Sequence, residues 1–175
     1  MGGSVSFPGC LLPGLRAEDC TFAGNLALNS GCTVRTDVRL ARARIGRDLN
    51  LERLQLRSAE HSDTPIQRRL SAEGARIGGH AILQGGFESD GDLYLVGLRL
   101  AGDLRASDAH LSGAVDGNGQ RGNALNLDHA RIAGSVTLDR GFSATGLVRA
   151  NQARIDGDLD CSGAAFDALG LAGAL

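Results

Sequence analysis

An all-β chain wound as a right-handed parallel β-solenoid, about 23 residues to the coil, accounts for three features of this sequence at once. A short phrase recurs at alternating spacings, apolar residues come in pairs two apart, and 26 glycines accompany only 3% aromatic residues. The phrase is Ala43-Arg44-Ile45-Gly46, repeated as Ala75-Arg76-Ile77-Gly78, Ala130-Arg131-Ile132-Ala133 and Ala153-Arg154-Ile155-Asp156. Leu98-Arg99-Leu100 and Cys20-Thr21-Phe22 are degenerate copies. Its large apolar residue falls at Phe22, Ile45, Ile77, Leu100, Ile132 and Ile155, so spacings of 23 and 32 alternate and the full unit is 55 residues. Repeats of this kind are the sequence mark of a solenoid.

Super-repeats 2–56, 57–111 and 112–166 overlay without gaps, followed by a terminal segment 167–175, and the span 1–175 reads as a single domain. Apolar columns line up throughout, for example Leu15, Leu70 and Leu125, or Leu49, Leu104 and Leu159. Gly24, Gly79 and Gly134 form one glycine column, and Gly31, Gly86 and Gly141 another. The chain begins and ends at equivalent points of the repeat, as a fragment of a longer repeat protein would.

Within a unit the elements follow in order as inward pairs: Leu125/Leu127, Ala130/Ile132, Val136/Leu138 and Phe142/Ala144, with Val148/Ala150 opening the next coil. A period of two specifies strands. Gly, Asp or Asn often separates the pairs, so each strand is short and ends at a corner. Four short sides per coil result. A helical reading fails because no 3.6-residue period is sustained and each glycine would cost roughly 1 kcal/mol against alanine. The nine extra residues of each longer coil fall near Ser58–Ile66 and Gly113–Arg121, both polar, and are expected as loops from one corner.

Net charge is −2, and all 18 basic residues are arginine. That balance gives no specific nucleic-acid signal. The cysteines Cys10, Cys20, Cys32 and Cys161 contain no C-x-x-C pair, and Cys20, Cys32 and Cys161 fall in inward columns as small apolar groups. No apolar stretch is long enough to target or span a membrane. A cytoplasmic location, or one peripheral to a membrane, is expected.

Chemical motifs are sparse. Gly117-Asn118-Gly119-Gln120-Arg121-Gly122 is a literal G-x-G-x-x-G, but strand spacing follows it where a dinucleotide site needs a helix. His61, His80, His110 and His129 have no metal-ligand spacing and are expected as isolated surface residues. Asp156, Asp158 and Asp160 alternate as acids do in carbohydrate-active solenoids. Asp158 repeats Asp48 and Asp103, however, which favours a solvated corner. No cofactor, metal or catalytic residue is predicted.

The segment from Asp139-Arg140-Gly141-Phe142 through Ala153-Arg154-Ile155-Asp156-Gly157-Asp158-Leu159-Asp160-Cys161-Ser162-Gly163-Ala164-Ala165-Phe166 resembles the repeat of actinobacterial proteins described as membrane-associated oxidoreductases. Through the 55-residue unit the resemblance covers nearly the whole chain. It implies a β-solenoid, a membrane connection and redox activity, and assigns no catalytic residue. It extends loosely to pentapeptide-repeat solenoids, from whose five-residue step the corners depart.

The candidate binding residues are Arg44, Arg76, Arg99, Arg131 and Arg154, each midway between two inward residues and therefore outward. Stacked coils make them a ladder. Asp48, Asp103 and Asp158, three positions past the marker, are expected to neutralise it; otherwise it offers itself to an acidic protein or an anionic membrane surface. A non-enzymatic binding or scaffolding module is the leading reading. Its alternatives are a membrane-associated oxidoreductase, a carbohydrate-active solenoid enzyme, and a solenoid that self-associates end to end through its open coils.

Overall fold

The computed structural model describes residues 3–57, 68–115 and 119–167. They form an all-β solenoid with no helix: 26 short strands in four parallel sheets of seven, seven, six and six strands. Each sheet takes every fourth strand of the chain, as four sides per coil require. Sheet I runs from Val5–Ser6 to Leu159–Asp160 and sheet II from Leu11–Leu12 to Ala165–Asp167. Sheet III runs from Leu15–Arg16 to Leu147–Arg149, and sheet IV from Thr21–Phe22 to Arg154–Ile155.

Strands of two residues suffice because hydrogen bonds run between coils, so every backbone group on a side finds its partner one rung away. In sheet IV the Arg76, Arg99 and Arg131 amides donate to Ala43, Ala75 and Leu98 carbonyls at 2.9, 2.9 and 2.8 Å. Equivalent side chains therefore stack about 4.8 Å apart.

The interior is filled by the expected pairs: Leu125, Leu127, Ala130, Ile132, Val136, Leu138, Phe142 and Ala144 are all buried. One column reads Cys32, Leu54, Phe87, Ala109, Phe142, Ala164. A phenyl ring is followed by alanine on the next rung, which keeps the core volume even along the rod. Val148 is inward in register but exposed, because no described coil covers it.

Corners are fixed by left-handed backbone. Between sheets III and IV, Asp19, Arg42, Gly74, Gly97, His129 and Gln152 all have positive φ, one per coil. Between sheets I and II the column is Gly9, Gly31, Arg53, Gly86, Asp108, Gly141 and Gly163.

Both insertions leave the corner between sheets II and III. Residues 58–67 lie outside the described residues, including the expected loop Ser58–Ile66 and His61. The second insertion folds back on itself, with Val115 and Arg121 in an antiparallel bridge and the Gly122 amide donating to the Ala114 carbonyl at 2.7 Å. The first super-repeat differs. Residues 3–11, which the 55-residue overlay sets on the insertions, instead contribute Val5–Ser6 and the first residue of Leu11–Leu12 to sheets I and II. Phe7, Cys10 and Leu12 pack against the core there, whereas Ser58, Glu60, His61 and Asp63 have nothing apolar to bury.

Candidate functional site

Sheet IV carries the five arginines in strict register: Arg44 pairs with Arg76, Arg76 with Arg99, Arg99 with Arg131, and Arg131 with Arg154. Thr21 occupies the rung before Arg44. Each arginine is exposed, and each is followed by an inward Ile or Leu that ties its rung to the core. Arg154 forms an ion pair with Asp156 at 2.6 Å. Among the described residues, no carboxylate lies within ion-pair distance of Arg44, Arg76, Arg99 or Arg131. Like charges stacked directly opposite one another repel.

The expected neutralisation by Asp48, Asp103 and Asp158 does not occur. These residues sit past the corner between sheets IV and I, where their axis-parallel side is occupied by a different structure. Ser4 Oγ accepts from the Asn25 amide at 3.1 Å, Asn25 Oδ1 from the Asp48 amide at 3.0 Å, and Asp48 Oδ1 from the His80 amide at 2.7 Å. The chain of bonds continues from His80 Nδ1 to the Asp103 amide, Asp103 Oδ1 to the Ser135 amide, and Ser135 Oγ to the Asp158 amide, at 3.0, 3.0 and 3.1 Å. Side chains of four types thus cap the same corner amide on successive rungs. The Asp48 and Asp103 carboxylates reach the next rung along the rod, and Asp158 enters the column through its amide.

This column explains the glycines beside it. A Cβ on Gly79 would lie 2.1 Å from Asp48 Oδ1, and one on Gly134 would lie 2.2 Å from Asp103 Oδ1. It also corrects the reading of His80 as an isolated histidine: its Nδ1 lies 3.0 Å from the Asp103 amide and 3.3 Å from Asp103 Oδ2.

Two positions beyond each ladder arginine on the outer face stand Gly46, Gly78, Ala101 and Ala133. They form, with the arginine stems, a groove of about 650 Å³ running along sheet IV from Thr21 and Ala23 to Asp156. The two glycines are required, since a Cβ on Gly46 or Gly78 would approach the carbonyl oxygen of the preceding rung to 2.4 or 2.5 Å. Alanine is accommodated at 101 and 133. Asp156 is the acidic residue that lines the groove among the described residues.

The remaining candidates do not assemble a catalytic centre. Asn123–Asn126 is a strand directly after the G-x-G-x-x-G segment, so the motif opens no helix; Gly117 and Asn118 lie outside the described residues. Asp156 engages Arg154, Asp158 ends the capping column, and Asp160 accepts the Ser162 amide at 2.9 Å, which separates the three acids. The Ser162 hydrogen bonds hold the Asp160 carboxyl below the usual range. Asp108, His110 and Ser143 come together, with His110 Nδ1 2.8 Å from Ser143 Oγ and Nε2 3.9 Å from Asp108 Oδ1. The second distance is too long for a hydrogen bond, and the Ser143 amide is spent on the Ala109 carbonyl at 2.9 Å, so it offers no oxyanion donor.

Cys32 is buried as expected, and desolvation pushes its thiol up; burial does the same to half-buried Cys161. Cys20 is exposed, because its column lies on the first coil, where nothing described packs beneath it. Among the described residues no group of three or more metal-ligating side chains occurs, and no helix is long and apolar enough to cross a membrane.

No family model, curated protein or solved structure matches the chain.

Proposed function

We propose that the protein is a non-enzymatic, rod-like binding module that holds an anionic partner along the arginine ladder of sheet IV. One observation carries the reading: four exposed guanidinium groups stand in register with no carboxylate in ion-pair distance among the described residues, whereas Arg39, Arg105 and Arg149 are paired on other sides of the same coils. Their fork geometry suits bidentate contact with phosphate, sulfate or carboxylate. A rigid sheet holds the cations in place before the partner arrives, so little ordering cost is added on binding.

Replacing Arg76, Arg99 and Arg131 by Gln tests the reading against heparin, polyglutamate, polyphosphate and anionic vesicles. Parent protein is expected to bind at least one of them with an affinity that falls as salt rises. Losing three cations should lower the steepness of that log–log dependence by about two to three. Absence of binding to all four at low salt, or an unchanged triple variant, rejects this function.

A further inference from the structure

We infer that the ladder's partner is a single-file phosphate polymer, inorganic polyphosphate, lying lengthwise in the groove of sheet IV; this rests on the anion-binding reading above. The argument is one of width and spacing. On sheet IV the positive stripe is one arginine wide, because the next outward position on the free rungs is Gly46, Gly78, Ala101 or Ala133. A flat anionic membrane or a nucleic-acid duplex presents phosphates over a width that a single file of cations does not match. A thin chain in the groove meets only the cations.

Spacing separates the thin candidates. The rungs repeat about every 4.8 Å, whereas an extended acidic peptide presents side chains on one face only about every 6.8 Å, so its charges drift out of step within two rungs. Phosphates in polyphosphate are one bridging oxygen apart, closer than a rung, so every guanidinium finds a phosphate without stretching the chain. A single-stranded nucleic acid would need aromatic platforms for its bases. The outer face of sheet IV has none: its residues are arginine, threonine, glycine, alanine and one aspartate.

The groove also defines a course. Its floor is Gly46, Gly78, Ala101 and Ala133, small enough for a chain to lie beside the arginine stems. At the far end Asp156 occupies the floor position and pairs with Arg154, placing a carboxylate across the path. The free rungs from Arg44 to Arg131 therefore give a track roughly 14 Å long.

Calorimetric titration with pyrophosphate, tripolyphosphate and longer polyphosphates tests this. Affinity should rise with chain length until the chain spans the four free rungs, and then change only slightly per added phosphate. Ala101→Gln with Ala133→Gln, which fills the floor without touching charge, should weaken polyphosphate binding by about tenfold or more. Circular dichroism confirms that this variant and the arginine triple variant retain the parent fold. Duplex DNA and phosphatidylserine vesicles at matched phosphate concentration should bind at least about tenfold more weakly than polyphosphate. If either binds as tightly and the Arg76, Arg99, Arg131 triple variant loses it, the ladder binds anions but the single-file inference is wrong. A floor variant with parental affinity, or affinity independent of chain length, also overturns it. Failure of every polyanion to bind removes this inference together with the function beneath it.

Discussion

Sheets III and IV share the same coils, yet among the described residues most sheet III arginines, Arg16 apart, have a partner and most sheet IV arginines have none. On sheet III, Arg39 pairs with Asp37, Arg149 with Asp128 at 2.8 Å, and buried Arg69 with Asp90 at 2.6 Å, while Arg68 lies 3.7 Å over the Tyr94 ring. On sheet IV only the last arginine is paired. The usual device is visible in Asp37 with Arg39, Asp103 with Arg105, and Arg154 with Asp156: the carboxylate sits two residues away, the next position on the same face of a strand. For Arg44, Arg76, Arg99 and Arg131 that following position is glycine or alanine. Asp156 demonstrates that a carboxylate can stand there. At 101 and 133 the absence of a carboxylate is thus a property of which side chains are present, whereas at 46 and 78 the close carbonyl of the preceding rung requires glycine.

The largest test of this contrast is Arg69→Ala. Its side chain is 1% exposed and also donates to the Thr36 carbonyl at 2.7 Å, so it links the coil below to the coil above. Removal leaves Asp90 without that cation and opens a space in the wall, with an expected loss of about 3 kcal/mol in denaturant unfolding. Arg99→Ala on sheet IV should change stability by less than about 0.5 kcal/mol. Equal costs would erase the distinction between the two faces.

A smaller test uses pH. Burial pushes the Asp92 carboxyl of sheet III above its ordinary range, even though it accepts the Ala114 amide at 2.9 Å. Hydrogen bonds from Arg105, then from the Ser135 amide, hold Asp103 below that range. Carboxyl NMR titration should therefore find Asp92 above and Asp103 below the unfolded value of about 3.9. The two contribute to stability with opposite sign. Asp103 stabilises above the unfolded value and loses that contribution as pH falls through its folded value. Asp92's contribution is complete below the unfolded value and is lost as pH rises through its folded value. Accordingly, Asp103→Asn should flatten the acid limb of the stability profile, and Asp92→Asn should reduce the decline on the opposite side. An inverted order of the two titrations would contradict the burial and pairing described.

The smallest expected effect is also the most pointed. Ala101→Asp places a carboxylate two residues after Arg99, copying the Arg154–Asp156 arrangement. Thermal and denaturant unfolding should show a gain of about 0.5 kcal/mol from the new surface pair, accompanied by weaker polyanion binding. A destabilised variant would mean that alanine is held at this position by packing.

Most of the architecture was legible because the core repeats identical chemistry: Leu over Leu and Ile over Ile at fixed steps announce both the strands and the coil length. The insertions were legible as polar surplus in that step. Two features escaped. Residues 3–11 align with loops by number, but Val5, Phe7 and Cys10 have the alternation of a strand and an open coil end to cover. The capping column escaped because Ser4, Asn25, Asp48, His80, Asp103 and Ser135 share an accepting atom and not a residue type. A search for any hydrogen-bond acceptor at the alternating step would have found it. Counting three positions past the marker placed Asp48, Asp103 and Asp158 correctly in the chain. It could not show that the corner commits the Asp48 and Asp103 carboxylates to amides of the next rung.

From residue 57 on, an insertion falls on every second coil, which makes two coils, and not one, the unit by which that part of the rod can grow through gene duplication. Adding one 23-residue coil would put two short corners side by side and shift every later loop out of alternation. Adding 55 residues preserves all four corners, the capping column and the loop order, and adds two rungs to the outer arginine file. Because each coil touches only its neighbours, the added unit needs no compensating change elsewhere. The length of the arginine file is therefore a quantity that evolution, or an engineer, can set in steps of about 9.6 Å by repeat number alone.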